Sequence, residues 1–325
     1  MDSAQNQPGI PVTVDNFPRA ESDLYFSNLL KAPGAGIGQF VHYRDPTPID
    51  QQTVIRMNRD TLYSAAVFDL DAGPVTITLP DAGKRFMSMM VENQDGYVPE
   101  VVYSKGNYTL SRDKIGTRYV IVAIRTLVDP NSAADLDEVH RLQDAIKATQ
   151  SGTGSFQIPA WDKESHDKVR GALQVLAQTT SSFGNAFGKK GEVDPVRFLL
   201  ATAAGWGGNP QKDAIYLNFA PKDNDGSGVY KLTVKDVPVD AFWSITLYNA
   251  KGYLEKNSYD AYSVNNITGS KNPDGSVTIQ FGGDPATTPN CLPIMPGWNY
   301  LVRLYRPRAE VLNGTYKFPE AQKVA

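Results

Sequence analysis

Cysteine and histidine are scarce: the chain of 325 residues has one cysteine, Cys291, and three histidines. A single cysteine excludes an intramolecular disulfide framework and a thiolate metal cluster. Three histidines are too few to favour a metal centre built from several imidazole ligands. From this composition we expect no metal site.

An excess of charge of one sign is also lacking, because 32 Lys and Arg oppose 35 Asp and Glu and leave a net charge of −3. Nucleic-acid-binding proteins normally have a basic excess or a basic stripe, so nucleic acid is not an expected partner. No run approaches the roughly 18 apolar residues of a membrane-spanning helix. These features predict a globular protein without a membrane span.

The first residues, MDSAQNQPGIPV, lack the charged segment and the apolar segment of a signal peptide. They are polar and contain Pro and Gly, which favours a flexible leader over residues 1–13. We expect a periplasmic or secreted protein if a signal peptide has been removed from the chain, and a cytoplasmic protein otherwise.

Common motifs of nucleophile and cofactor sites are missing. The sequence has no G-x-S-x-G elbow, no G-x-G-x-x-G after a strand pattern and no Walker loop. Cys291 lies in the Pro-flanked loop TTPNCLPIMP without a nearby histidine in sequence. We therefore expect no cofactor.

Helical periodicity is confined to one early segment and the middle of the chain. Apolar residues at three- to four-residue spacing, with capping residues such as Asp194 and Pro195, predict helices over 15–31, 132–149, 164–180 and 194–204. Alternating aromatic and β-branched residues, bounded by turn residues, predict strands on both sides of the middle segment. These strands are 73–80, 85–92, 118–128, 214–219, 228–234, 242–248, 275–281 and 299–305. The predicted fold class is mainly β with a helical insertion.

The two flanks resemble each other. RFMSMMVENQDGY matches AFWSITLYNAKGY at one constant offset, which places Phe86 over Phe242. Asn-x-x-Gly-Tyr after a strand is typical of a hairpin turn in which Gly supplies a positive φ. We interpret the match as a weak internal duplication of one β-unit. The predicted organisation after the leader is an N-terminal unit with a leading helix, a helical segment and a C-terminal unit, at 14–130, 131–207 and 208–325.

Four stretches resemble a largely bacterial two-domain family: VIRMNRDTLYSAAVFDL, GTRYVIVAIRTLVDP, VPVDAFWSITLYNAKGYLEKN and PGWNYLVRLYRPR. Its halves are domain of unknown function 1254 and domain of unknown function 1214. The resemblance covers nearly the whole chain and implies two jelly-roll-like β-sandwich units, often in proteins exported to the periplasm. It implies no established reaction. Relatives often have His after the Asp of the 92–97 turn, where this chain has Gly96, so a His-based chemistry is not implied here.

The densest polar cluster is RMNRDTLY at 56–63. An Arg fork binds carboxylate or phosphate, which makes Arg56, Asn58 and Arg59 candidate ligand-binding residues. Asp60 is a candidate base and Tyr63 a candidate proton carrier. The alternative is an Arg–Asp pair that fastens the loop at the entry to the domain.

Two carboxylates, Glu92 and Asp95, occur in the first copy of the repeated turn, where the second copy has Tyr248 and Lys251. Two acids this close could split their pKa values and share acid and base roles. The alternative is simple solvation of a turn. His42, in QFVHYRDP ahead of the Arg-rich cluster, is the best histidine candidate for proton transfer.

The second copy is rich in aromatic and polar side chains. In FWSITLY the alternation directs Trp243 to the core and Tyr248 to the opposite face, and in NYLVRLYR Arg303 shares a face with Tyr305. Rings beside Arg hold sugars and small planar ligands, so Tyr248 and Arg303 are candidate ligand-binding residues. The alternative is ordinary core filling of a β-sandwich.

Two functions follow as hypotheses. The first is a cofactor-free hydrolase or lyase acting on an anionic small molecule or saccharide through an Arg/carboxylate site. The alternative is a non-catalytic ligand-binding or assembly protein, which the lack of a recognisable nucleophile favours. Since exposed strand edges are usually covered, we also expect a homo-oligomer.

Overall fold

The computed structural model describes residues 9–52, 55–180 and 182–324, so residues 1–8 of the predicted leader lie outside the described part. The helices of the described residues are α1 (Phe17–Leu30), α2 (Arg112–Ile115), α3 (Ala133–Asp144), α4 (Lys163–Ala177), α5 (Pro195–Gly205) and α6 (Ala309–Leu312). The strands are β1 (Val41–His42), β2 (Thr61–Asp69), β3 (Val75–Leu79), β4 (Met87–Asn93), β5 (Glu100–Val102), β6 (Gly106–Leu110), β7 (Tyr119–Leu127), β8 (Lys147–Gln150), β9 (Ala214–Phe219), β10 (Tyr230–Val234), β11 (Trp243–Tyr248), β12 (Ser263–Asn265), β13 (Val277–Phe281), β14 (Cys291–Leu292), β15 (Asn299–Tyr305) and β16 (Gln322–Lys323). The chain is therefore mainly β, as the sequence predicts, and no described helix is long and apolar enough to cross a membrane.

The predicted helices form where their capping residues are used. Asp162 and Asp194 accept hydrogen bonds from the backbone N–H groups of Ser165 and Arg197, three residues further on, and so start α4 and α5. Pro195 occupies the first position of α5, where a missing N–H costs nothing.

Helix α3 is shorter than its predicted range of 132–149, because it ends at Asp144 and strand β8 follows. Strand β8 pairs with β3, with Ala148 opposite Ile77. The spacing of Ile146 predicted the longer helix. In the structure Ile146 lies between α3 and β8, and its side chain is buried in the core. Long-range pairing has outweighed local helix preference here.

The chain divides into two compact units, each drawn from three segments. Unit 1 comprises residues 1–42, 63–125 and 142–211, and unit 2 comprises residues 43–62, 126–141 and 212–325. The continuous boundaries expected from the sequence stay a prediction.

Unit 1 contains a five-stranded sheet in the order β1-β2-β7-β4-β5 and a three-stranded sheet in the order β6-β3-β8. One apolar core joins Phe68 and Val122 of the first sheet to Ile77 and Leu110 of the second, so the two sheets pack as a sandwich. On the other face of the larger sheet, α1 packs Phe26 against strand residues. Helices α4 and α5 pack with α1 in a separate apolar cluster.

Unit 2 contains two four-stranded sheets, in the orders β12-β11-β15-β9 and β14-β13-β10-β16. Their core joins Ile245 and Val302 of the first sheet to Leu232 and Ile279 of the second. The register across the first sheet sets Ser244 opposite Arg303. The face of this sheet that points away from the core carries the polar side chains described below.

Strand order supports the predicted duplication. The order β2-β7-β4-β5 of unit 1 corresponds to β9-β15-β11-β12 of unit 2, and β6-β3-β8 corresponds to β13-β10-β16. The turns after β4 and β11 also share their hydrogen bonds, because the N–H groups of Gly96 and Gly252 donate at 2.9 Å to the carbonyls of Asn93 and Asn249. Both glycines have φ of 83°. The duplication itself, and the superposition of Phe86 on Phe242, stay predictions.

Candidate ligand-binding site

The loop before β2 carries Arg56 in a left-handed backbone conformation, with φ of 60°. Such a conformation costs a residue with a Cβ about 1–2 kcal/mol. Packing enforces it, because the N–H of Arg56 donates a hydrogen bond of 2.8 Å to the carbonyl of Gly252. A Cβ at Gly252 would lie 3.5 Å from Nε of Arg56, so the turn and the loop are in close contact.

Two side chains of unit 2, Arg303 on β15 and Tyr248 on β11, hold the same loop from the sheet. Arg303 is only 2% exposed and donates at 2.8 Å to the carbonyl of Arg56 and at 2.7 Å to the hydroxyl of Tyr248. The Tyr248 hydroxyl in turn donates at 2.8 Å to the carbonyl of Met57. Burial raises the pKa of Tyr248, so the hydroxyl keeps its proton and remains a donor at neutral pH. Paired polar groups of this kind fix a loop in one geometry.

Asn58 and Asp60 are buried in the same loop. Asn58 donates at 2.9 Å to the hydroxyl of Tyr305, and its Oδ1 accepts the N–H of Asp60 at 2.6 Å. Asp60 is 1% exposed, and its Oδ1 accepts the amide of Asn265 at 3.0 Å. Its Oδ2 has no hydrogen-bond partner among the described residues. The loop is thus fastened by hydrogen bonds, and the described residues contain no ion pair between Asp60 and an arginine.

Arg56 and Arg59 are half-buried cations, and each rests on an aromatic ring 5.0 Å from the guanidinium carbon. Arg56 donates to Oδ1 of Asn299, and Arg59 donates to the carbonyl of Thr47. Burial lowers the pKa of both groups from the ordinary arginine value. Within the described part of the chain, neither forms an ion pair with a carboxylate. Arg56 is compensated by a dipole and a ring face, whereas the charges of Asp260 and Asp60 also raise the pKa of Arg59 and offset part of the effect of burial.

A cleft of about 410 Å³ lies beside Arg56 in unit 2. Arg56 is its charged lining residue, Asn218, Asn224 and Asn299 are its amide residues, and Phe219 supplies an aromatic ring. The remaining lining consists of Ala and Gly. The volume falls within the roughly 300–1,000 Å³ of small-molecule sites. The cleft therefore combines one cation with neutral polar groups and one ring.

Glu92, near the end of β4 in unit 1, is a buried carboxyl group that is 1% exposed. Its Oε2 has no hydrogen-bond partner within the described ranges, and a Cβ at Gly207 would lie 3.6 Å from that atom. Burial raises the pKa of Glu92 well above its usual range, and the charge of Arg125 opposes this shift only in part. Arg125 also lies over the ring of Tyr63, 5.4 Å from its centroid. Burial therefore favours the protonated form of Glu92.

Asp95 and His42 have partners of their own in unit 1. Asp95 forms an ion pair with Arg19 of α1, and both side chains are 37% exposed. Nδ1 of His42 lies 2.8 Å from the hydroxyl of Ser64. Among the described residues, no three His, Cys, Asp or Glu side chains are grouped so that they could hold a metal ion.

The predicted site residues thus fall into two sets. Unit 1 holds Glu92, Asp95, Tyr63 and His42, whereas unit 2 brings together Arg56, Asn58, Arg59, Asp60, Tyr248 and Arg303. The Arg/carboxylate site expected from the sequence stays a prediction.

Sequence reasoning missed the amide and aromatic lining of the cleft. Asn218 and Phe219 end a predicted strand, and Asn299 begins another, so the sequence pattern marks all three only as strand residues. Only the register of β9 on β15, with Phe219 opposite Tyr300, brings the two strand ends together. The sequence offers one signal for this lining, which is an Asn near the end of each of two strands rich in aromatic residues.

Two family models match the sequence in chain order. The model described as protein of unknown function (DUF1254) matches residues 37–150, and the model described as protein of unknown function (DUF1214) matches residues 215–309. The chain therefore belongs to the two-domain family that its motifs predict. No curated protein matches the sequence.

Two solved bacterial structures are similar in fold. The VPA0106 protein from Vibrio parahaemolyticus has a TM-score of 0.74 at 16% identity, over 96% of this chain and 98% of that one. An uncharacterized protein from Burkholderia cenocepacia has a TM-score of 0.54 at 13% identity, over 99% of this chain and 91% of that one. At such identities the likeness concerns the fold alone, and it agrees with a mainly β chain.

Proposed function

We propose that unit 2 binds a small anionic molecule and that Arg56 contacts the anion. One observation carries the proposal: Arg56 is a half-buried guanidinium, without a carboxylate partner in the described residues, that lines a cleft of about 410 Å³. A guanidinium fork matches a carboxylate in bidentate geometry. An anion in the cleft would supply the counter-charge that the described residues do not provide.

The backbone of Arg56 supports the same proposal. Left-handed conformations of residues with a Cβ persist only where the surroundings enforce them, and they cluster at ligand sites. Here the enforcing groups are Arg303, Tyr248 and Gly252, all fixed by strands or a tight turn. A guanidinium held in advance loses less entropy when a ligand binds.

Thermal-shift titration of the full chain with acetate, citrate and phosphate tests the proposal. We expect a saturable rise in melting temperature with at least one of these anions, loss of that rise in Arg56→Gln, and its retention in Arg308→Gln. Arg308 is a matched control, since it is an arginine of unit 2 in an exposed ion pair with Asp240. No stabilisation by any of the three anions, or an equal response of Arg56→Gln and the wild type, would contradict the proposal.

A second candidate function is that of a hydrolase or lyase acting on such an anion or on a saccharide, and Asp60 favours it. A buried carboxylate oxygen without a donor, as Asp60 Oδ2 is among the described residues, is available to take a proton. Proton NMR of a stabilising ligand, incubated with wild type or with Asp60→Asn, separates the two functions. Consumption by the wild type alone supports the enzyme, whereas an unchanged ligand supports a non-catalytic binding protein.

A further inference from the structure

The cleft of unit 2 offers hydrogen-bond acceptors beside the Arg56 cation. Nδ2 of Asn224 donates at 3.1 Å to the carbonyl of Trp298, which leaves its Oδ1 without a donor among the described residues. The exposed side-chain amide of Asn218 has no hydrogen-bond partner in the same residues. An acceptor oxygen repels a bare anion but binds a hydroxyl or an N–H group. The lining therefore suits a ligand that carries donors as well as a negative charge.

Phe219 adds a flat apolar surface to the cleft. One face of its ring stacks on Tyr300 with the centroids 5.1 Å apart and the planes 22° from parallel. Tyr300 belongs to the core of unit 2, and Phe219 packs against the same core while it also lines the cleft at the end of β9. The C–H groups of a sugar pack well against apolar aromatic surface of this kind.

The number of cations sets the charge of the ligand. Arg56 is the charged residue of the lining, and one guanidinium matches one carboxylate. A phosphate monoester, with a charge of about −1.5 to −2, would be only partly compensated. A single carboxylate on a hydroxylated ring satisfies the cation, the open amide oxygens of Asn218 and Asn224 and the apolar surface of Phe219 together.

The geometry points to a sugar acid, a hydroxylated carboxylate the size of a hexuronate, as the ligand of the Arg56 cleft. This inference rests on the proposed binding of an anion by Arg56. Arg56 contacts the carboxylate, Asn218 and Asn224 accept hydroxyl groups, and Phe219 packs against the ring.

Isothermal titration calorimetry of the full chain with glucuronate, glucose and acetate tests this assignment. We expect glucuronate to bind at least about tenfold more tightly than acetate, because it gains hydrogen bonds to the amides and contact with the ring. Glucose, which lacks the carboxylate, should bind at least about tenfold more weakly than glucuronate.

Variants assign the contacts. Asn218→Ala should weaken the binding of glucuronate about threefold or more and leave the binding of acetate unchanged. The fold should not be disturbed, since the Asn218 amide has no partner among the described residues. Phe219→Leu should act in the same direction, with its melting temperature recorded to exclude unfolding. Arg308→Gln should bind all three compounds as the wild type does.

The outcomes separate this inference from the proposed function. Equal affinity for glucuronate and acetate, both lost in Arg56→Gln, would overturn the sugar acid while leaving the anion site intact. Equal affinity for glucuronate and glucose would overturn both, as would the absence of any binding that depends on Arg56.

Discussion

Arg303 donates a hydrogen bond of 2.7 Å to the hydroxyl of Tyr248, and both residues are buried on the face of the unit 2 sheet that points away from its core. Both residues also donate to the loop before β2: Arg303 through a further N–H to the carbonyl of Arg56, and Tyr248 through its one O–H to that of Met57. The pair therefore acts as a bracket between the sheet and the loop. Within the described residues this buried guanidinium forms no ion pair, although the charge of Asp60 helps to raise its pKa, so its hydrogen bonds to neutral oxygens contribute to holding it in place.

Tyr248→Phe should lower the free energy of unfolding by about 1–3 kcal/mol, because a buried donor on Arg303 and a partly buried carbonyl on Met57 each lose a partner. Urea denaturation measures the change. Tyr259→Phe is the control, since Tyr259 is exposed and its hydroxyl lies 3.4 Å from Asp284, and it should change stability by no more than about 0.5 kcal/mol. Equal effects of the two variants would show that the bracket contributes nothing.

The same variant should weaken anion binding. The ring that lies under Arg56 remains in Tyr248→Phe, so any loss of affinity reports the position of the loop and not the loss of the ring. Calorimetry with glucuronate on Tyr248→Phe and Tyr259→Phe measures this. We expect weaker binding in the first variant alone. Unchanged affinity in a folded Tyr248→Phe would mean that Arg56 keeps its place without the bracket.

Glu92 should make stability depend on pH. In the unfolded chain the Glu92 carboxyl has a pKa of about 4.3, whereas burial raises its pKa in the folded chain. Between these values the folded state binds more protons, so the contribution of Glu92 to stability is complete below about pH 4.3 and declines as pH rises toward the folded pKa. The decline reaches at most about 1.4 kcal/mol per pH unit.

Glu92→Gln removes this titration and keeps the shape of the side chain. Urea denaturation from pH 4 to pH 8 should show the variant gaining stability relative to the wild type as pH rises. Glu100→Gln serves as the control in unit 1, because Glu100 pairs at the surface with Lys114. Parallel stability curves for wild type and Glu92→Gln would mean that Glu92 titrates normally.

Gly297 at the edge of the cleft should tolerate no side chain. It has φ of 76°, and an added Cβ would lie 2.6 Å from the Cβ of Ala250. Gly275 of the same unit has φ of 82° but open space around its missing Cβ. Gly275→Ala should therefore cost about 1 kcal/mol from backbone strain alone, and Gly297→Ala clearly more.

A double variant checks the cause. Ala250→Gly removes the colliding methyl group, so adding it to Gly297→Ala should recover part of the lost stability in urea denaturation. Additive losses in the double variant would show that the collision is not what makes Gly297 necessary.

Local patterns predicted most of the fold. The alternation of Val75, Ile77 and Leu79 in β3 marks the buried face that the structure shows, and Asp194 with Pro195 marks the start of α5. Strand β8 was missed because its sequence, KATQ, has little strand character and is held by pairing with β3, about 70 residues earlier. Register and sequence-distant pairing lie outside what periodicity encodes.

Only part of the candidate site could be predicted, because some of its residues come together through sequence-distant pairing. Density of polar residues located the loop of Arg56 and Asp60, since charged side chains cannot be buried cheaply without partners. Asn218, Asn224 and Phe219 carry no such local signal, because Asn and Phe are ordinary residues of turns and strands. Tertiary structure alone adds them to the cleft.

Contact between Arg56 and the ligand is the central claim, and NMR of the full chain labelled with ¹⁵N-arginine tests it most directly. The Nε–H resonance of Arg56 is assigned by its absence in Arg56→Gln, and that of Arg308 by its absence in Arg308→Gln. During titration with glucuronate, the Arg56 resonance should move in a saturable way while the Arg308 resonance stays in place. An Arg56 resonance that does not move, or that moves no more than that of Arg308, would contradict the account.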